Sequence, residues 1–165
     1  MVGRKIYKIY QETCSFSERE KEVYRIAVKE FDKIRRKYFA ACGNARKDSM
    51  FRILQQLLLL LKICADPSLA YEYDSNEIPT KVKKAIRLLQ MWKYEKVAIG
   101  VRRIEVADSY YRYLKQAFPE RQIFYITGDK VPCKQRQRIV EKLRKTENGI
   151  LLSTQQSLSE SIEYR

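Results

Sequence analysis

Apolar residues in the first forty positions recur at helical spacing. Val23, Ala27, Phe31, Ile34 and Tyr38 are separated by four, four, three and four residues, which puts them on one face of a helix. Ser17 and Glu20 stand three apart ahead of this run and form a capping box, so a helix is predicted over 18–41, with Gly43 as its stop. A second helix is predicted over 49–65, ended by the Asp66-Pro67 step, because a residue before proline is pushed out of the α region. Its apolar positions, among them Met50, Ile53, Leu54, Leu57, Leu58, Leu60, Leu61 and Cys64, wrap most of the circumference, so several neighbours must cover it. SLAYEYDSNEI, between Pro67 and Pro79, follows neither the helical nor the strand period and reads as a linker. It divides the chain into a helical region, 1–66, and a second unit, 79–165.

Beyond Pro79 the pattern alternates. Val82, Ala85, Ile86 and Leu89 mark a helix over 80–94 that starts near Pro79 or Thr80. KVAIGV is a short apolar run suited to a strand buried on both faces, and it leads into a helix striped by Ala107, Tyr110, Tyr111 and Leu114 and closed by Pro119. RQIFYIT reads as a strand, GDKVP as a turn, the segment with Ile139, Val140 and Leu143 as a helix, and NGILLST as a third strand, followed by a polar loop. Strand, helix, strand, helix, strand at these intervals implies βαβ crossovers and a parallel sheet, hence an α/β fold.

Charge adds a partner to this picture. The chain carries 34 Lys and Arg against 20 Asp and Glu, a formal +14, which suits a polyanion, nucleic acid above all. The excess is spread: 15 basic and 7 acidic residues lie in 1–65, and 19 and 13 in the rest. Lys33, Arg35, Arg36 and Lys37 read as the solvated side of the first helix.

The chemistry excluded is equally informative. Histidine is absent, which removes Ser-His and Cys-His pairs and histidine-ligated metals. Cys14, Cys42, Cys64 and Cys133 form no CxxC pair and read as reduced structural cysteines, with no metal site implied. Only nine residues separate Arg52 from Lys62 in the leucine-rich run, against the ~20 needed to span a bilayer, so no membrane segment is expected. Neither GxxxxGK[ST] nor GxGxxG occurs, so the chain has no phosphate loop of its own. No catalytic residue is assigned; Asp108 with Glu105, and Asp129, read as surface charge. The candidate binding residues all follow strands: Arg102 and Arg103, then Gly128 and Lys130, then Ser153, Thr154 and Gln155, with Arg136 opening the next helix. In a parallel sheet these loops emerge along one edge, where cationic, hydroxyl and backbone N–H groups can contact phosphates without reading bases. The alternative is that they are solvated arginines and a capping Ser-Thr.

Several segments, taken in order, resemble the second RecA-like lobe of switch/sucrose-non-fermenting-type ATPases, the chromatin-remodeller branch of superfamily 2. FRILQQLLLLLKICADPSLA resembles the leucine-rich helix that precedes that lobe, and TKVKKAIRLLQMW the lysine-led helix after it. KVAIGVRRIEVAD aligns without gaps to helicase motif IV, YITGDKVPCKQRQRIVEKLRK to the next block when one extra turn residue is allowed, and ILLSTQQSLSESI to motif V. Two departures stand out: Ser157, Ser159, Ser161 and Glu163 replace the Gly-Gly and Gly-x-Asn elements of motif V, and Arg102 stands where the family has a polar amide.

The resemblance, over about 15–163, implies an incomplete RecA-like lobe with an N-terminal helical protrusion, truncated before motif VI. It implies a parent that translocates on DNA by ATP hydrolysis, with ATP and Mg²⁺ acting in the intact parent only and the fragment itself inactive. The implied partners are double-stranded DNA, bound without sequence preference through Arg102, Lys130, Arg136 and Thr154, and the parent's first RecA-like lobe. The implied location is cytoplasmic for a bacterial or viral parent and nuclear for a eukaryotic one. Rival readings are a helicase lobe of another superfamily 2 branch acting on RNA or DNA, and a non-catalytic basic α/β adaptor. A small-molecule-binding α/β domain is disfavoured by the charge and the lack of glycine-rich turns.

Overall fold

The computed structural model describes residues 9–70, 73 and 77–159. Ser161 and Glu163, and Tyr71, Glu72, Asp74, Ser75 and Asn76 of the segment read as a linker, lie outside them. Helix α1 (Glu18–Ala40) begins with the expected capping box: the Ser17 hydroxyl accepts from the Glu20 amide, and the Glu20 carboxylate accepts from the Ser17 amide at 2.6 Å. Its stop differs from expectation. Ala41 turns extended at the cap, and Gly43, at φ +58°, is instead the first residue of helix α2 (Gly43–Ala65). Helix α2 therefore starts six residues earlier than predicted, because Ala45, Arg46 and Lys47 extend it N-terminally once glycine has made the reversal. It ends as expected at Asp66, which is extended before Pro67, and the Asp66 carboxylate caps a single 3₁₀ turn by accepting from the Ser68 amide at 2.9 Å.

The second unit consists of α3 (Thr80–Met91), β1 (Val97–Val101), α4 (Ile104–Ala117), β2 (Ile123–Ile126), α5 (Cys133–Lys145), β3 (Ile150–Thr154) and a short α6 (Gln155–Ser159). The three strands are parallel, in the order β1-β3-β2, with β3 central. All five residues of β3 are buried, as an apolar strand covered on both faces requires. One face, bearing Ile99 and Leu152, packs with Val82 and Leu89 of α3 and Val106, Tyr110 and Leu114 of α4. The other, bearing Leu151, Phe124 and Ile126, packs with Val140 of α5, and Leu158 of α6 joins it. Strand β1 is the exception to its prediction: it lies at the sheet edge, and Ala98 and Gly100 are exposed. Its second face is small and largely uncovered.

Arg121 secures the amino-terminal edge of the sheet. Its guanidinium donates to the carbonyls of Asn148 (2.9 Å), Leu89 (3.1 Å) and Glu95 (2.9 Å), joining three connections. At the opposite edge the hairpin of α1 and α2 is tied to α4. Buried Asp66 accepts from the Ser109 hydroxyl, and Lys62 pairs with Glu105 at 2.8 Å.

Candidate nucleic-acid interface

The register aligns Val101 with Thr154 and Ile126 with Ser153. The carboxyl ends of all three strands therefore adjoin along one edge, where ligands of open parallel sheets bind. Arg102 and Arg103 follow β1; Arg102 is exposed, while Arg103 is half-buried and occupies the cap position of α4 without a side-chain cap bond. Together with Lys81, Lys84 and Gln155 they line a cleft of about 920 Å³ that reaches to Leu61 on α2. Lys81 and Lys84 lie three apart on α3, and that spacing is the sequence signal by which they could have been added to the site. Glu12 pairs with Lys84 at 2.7 Å.

Lys130, after β2, is the second exposed cation. It binds the Asp108 carboxylate and lies 5.0 Å from the centre of the Tyr125 ring, while the Tyr125 hydroxyl donates to the same carboxylate at 2.8 Å. The hydrogen bond from Lys130, more than that from Tyr125, holds the Asp108 carboxyl below its ordinary range. Burial, and then the bond to Asp108, push the Tyr125 phenol up, so it stays a neutral donor. Asp108 thus fixes the position of Lys130, a role that spacing along the sequence did not suggest.

Arg136, Ser153 and Thr154 face inward. The Thr154 hydroxyl donates to the Ser157 hydroxyl at 2.8 Å and Ser153 to the Thr154 carbonyl at 3.1 Å, both buried. Arg136, 6% exposed, donates to the carbonyls of Val131 (3.0 Å) and Ser157 (3.3 Å). These bonds hold the β3–α6 junction against the start of α5. Gly128 is exposed beside this knot: a Cβ there would lie 3.8 Å from the Ser157 hydroxyl. The segment read as a polar loop is helical over 155–159, with Ser157 as the buried residue that organises it.

No family model and no curated protein matches the chain. Among solved structures it is similar to the Sulfolobus solfataricus SWI2/SNF2 ATPase C-terminal domain, with a TM-score of 0.63 and 16% identity, over 82% of this chain and 57% of that one. The fold is an incomplete RecA-like α/β fold that matches that domain's. The chain spans a little over half of that domain's length. In this RecA-like arrangement, KVAIGVRRIEVAD forms β1 and the first turn of α4, and ILLST forms β3, so the stretches resembling motifs IV and V include neighbouring strands. Among the described residues no helix is long and apolar enough to cross a membrane.

Proposed function

We propose that the chain is the nucleic-acid-gripping second lobe of an ATP-dependent DNA translocase, inactive in hydrolysis on its own. The observation that carries this reading is the placement of Arg102 and Lys130, two exposed cations, along one edge of the sheet after the two outer strands that flank β3, on a chain of net charge +14. Arg102, Arg103 and Lys130 contact phosphates of duplex DNA, with Gln155 and the Gly128 backbone beside them. Arg136, Ser153 and Thr154 act indirectly, by holding the β3–α6 junction that sets the shape of the edge. Such contacts confer no base preference.

ATP and Mg²⁺ belong to the intact parent in this reading. The chain has no GxxxxGK[ST] segment, and among the described residues no cluster of three or more His, Cys, Asp or Glu side chains could hold a metal ion. The first RecA-like lobe of the parent supplies the phosphate loop, and the protein works where its DNA is, in a bacterial or viral cytoplasm or a nucleus. Retention of labelled duplex at 50 and 200 mM salt tests the grip: about tenfold or greater loss at the higher salt is expected for two or more phosphate contacts. Absence of retention at the lower salt removes the proposal for this chain.

A further inference from the structure

Helix α2 carries two apolar seams on opposite sides. The inner one, Gln56, Leu60 and Ile63, is used by α1: Ile63, with Leu60 beside it, packs with Val23 and Ala27, and the Gln56 amide donates to the Ala27 carbonyl at 3.0 Å. The outer one, Phe51, Leu54, Leu58 and Leu61, is exposed by 63, 51, 42 and 52%. Its spacing of three, four and three is that of a heptad seam, the pattern with which one helix receives another. Solvent-facing sides of helices ordinarily carry charge, yet no charged residue lies between Arg52 and Lys62. An exposed apolar stripe of this kind marks an interaction site.

The ends of the seam identify the occupant. Arg46, Lys47 and Arg52 are exposed around its amino-terminal end, and Lys81 lines the cleft that Leu61 enters at the other. Asp48 is the single acidic residue of α2. We propose that the outer seam receives an amphipathic helix of a partner protein, with an apolar seam of its own flanked by Glu or Asp. A second copy of this chain would bring the same cations against each other on a molecule of net charge +14, which opposes self-pairing. A helix lying in a membrane surface distributes Lys and Arg along its polar face, whereas here they sit at the ends and α1 covers the opposite side. The inference uses no strand-tip residue, and the seam meets the proposed DNA edge only at its far end, where Leu61 and Lys81 line the cleft that also holds Arg102 and Arg103.

The test uses the full chain and a fluorescein-labelled synthetic peptide of three heptads with Leu at the seam positions and Glu beside them. Two further peptides carry Lys in place of Glu, or Ser in place of Leu. Fluorescence anisotropy is expected to show saturable binding of the Glu peptide, with both others at least tenfold weaker. The double variant Leu54→Gln/Leu58→Gln should lose at least tenfold in affinity with its circular dichroism unchanged, and Phe51→Gln/Leu61→Gln should do the same, so a folding defect in one pair leaves the other to decide. Equal binding of the Glu and Lys peptides, or indifference to both variant pairs, overturns the proposal. So does a dimer in sedimentation velocity that both pairs dissolve, which assigns the seam to a second copy. Flotation with phosphatidylserine vesicles that both pairs abolish would assign it to a membrane.

Discussion

Glu20 of α1 accepts two hydrogen bonds from Thr80 of α3, one from its amide and one from its hydroxyl, each at 2.7 Å. The same carboxylate, 1% exposed, closes the capping box with the Ser17 amide, so one buried side chain starts α1 and anchors the start of α3. Glu20→Ala leaves three donors without their partner and is expected to cost about 2–4 kcal/mol in urea denaturation. Thr80→Ala removes only the hydroxyl bond and should cost about 1 kcal/mol. A Thr80→Ala cost near zero beside a large Glu20→Ala cost would mean that the hydroxyl bond between α1 and α3 contributes nothing.

The local half of Glu20's role was legible in the sequence, since a capping box spans four consecutive residues. Its bond to Thr80 was not, because it joins positions sixty residues apart. The same division runs through the fold. Asp66-Pro67 and the strand-helix alternation are local signals, and they located the end of α2 and the parallel sheet. β1 was misread because VAIGV is apolar throughout, and only sheet order reveals that Ala98 and Gly100 lie on an edge strand. In the candidate site, the strand order placed the three tips together. Whether Arg136 faced phosphate or protein depended on Ser157, whose carbonyl comes from a helix that a polar Ser-Gln stretch does not announce.

Gly149 and Gly100 sit at opposite ends of the sheet and should respond differently to a methyl group. A Cβ on Gly149 would meet the Thr146 hydroxyl at 2.6 Å, Leu143 at 2.7 Å and Phe124 at 3.0 Å. Gly149→Ala is therefore expected to destabilise by about 1–3 kcal/mol through overpacking. On Gly100 the nearest atom would be the Gln155 side chain at 3.5 Å, an ordinary contact. Gly100→Ala should stay within about 0.5 kcal/mol of the parent. Thermal melts of the two variants separate the outcomes, and equal destabilisation would contradict the open face of β1.

Stability should carry an acid-side signature from Asp108 and Glu105. Hydrogen bonds from Lys130 and Lys62, respectively, are the main reason that both carboxyls are held below their ordinary range. A carboxyl with a depressed pKa in the folded state contributes stability that is present above its unfolded pKa, about 4, and is lost as pH falls through the lower folded value. The Asp108 side chain is 44% exposed, so the effect is modest. The difference in melting temperature between the parent and Asp108→Asn should be widest near pH 6–7 and close as the pH drops below about 4. A difference that stays constant down to pH 2 would show that Asp108 acts by packing and not by its charge.

The division of the strand-tip residues into exposed cations and buried fasteners makes the DNA reading sharper than a test of binding alone. If Arg102 and Lys130 each neutralise one phosphate, Arg102→Ala and Lys130→Ala should each weaken duplex binding uniformly across sequences and each reduce the slope of log Kd against log salt by about 1. Arg136→Met should leave that slope unchanged while lowering stability, because its guanidinium is committed to the Val131 and Ser157 carbonyls. Asp108→Asn should tighten binding severalfold, since Lys130 loses the carboxylate that now neutralises it. Anisotropy titrations of a labelled 30-base-pair duplex at four salt concentrations measure all four. If the Arg136 variant flattened the slope while those at Arg102 and Lys130 did not, the phosphate path would run through the β3–α6 junction, and the exposed edge would have another use.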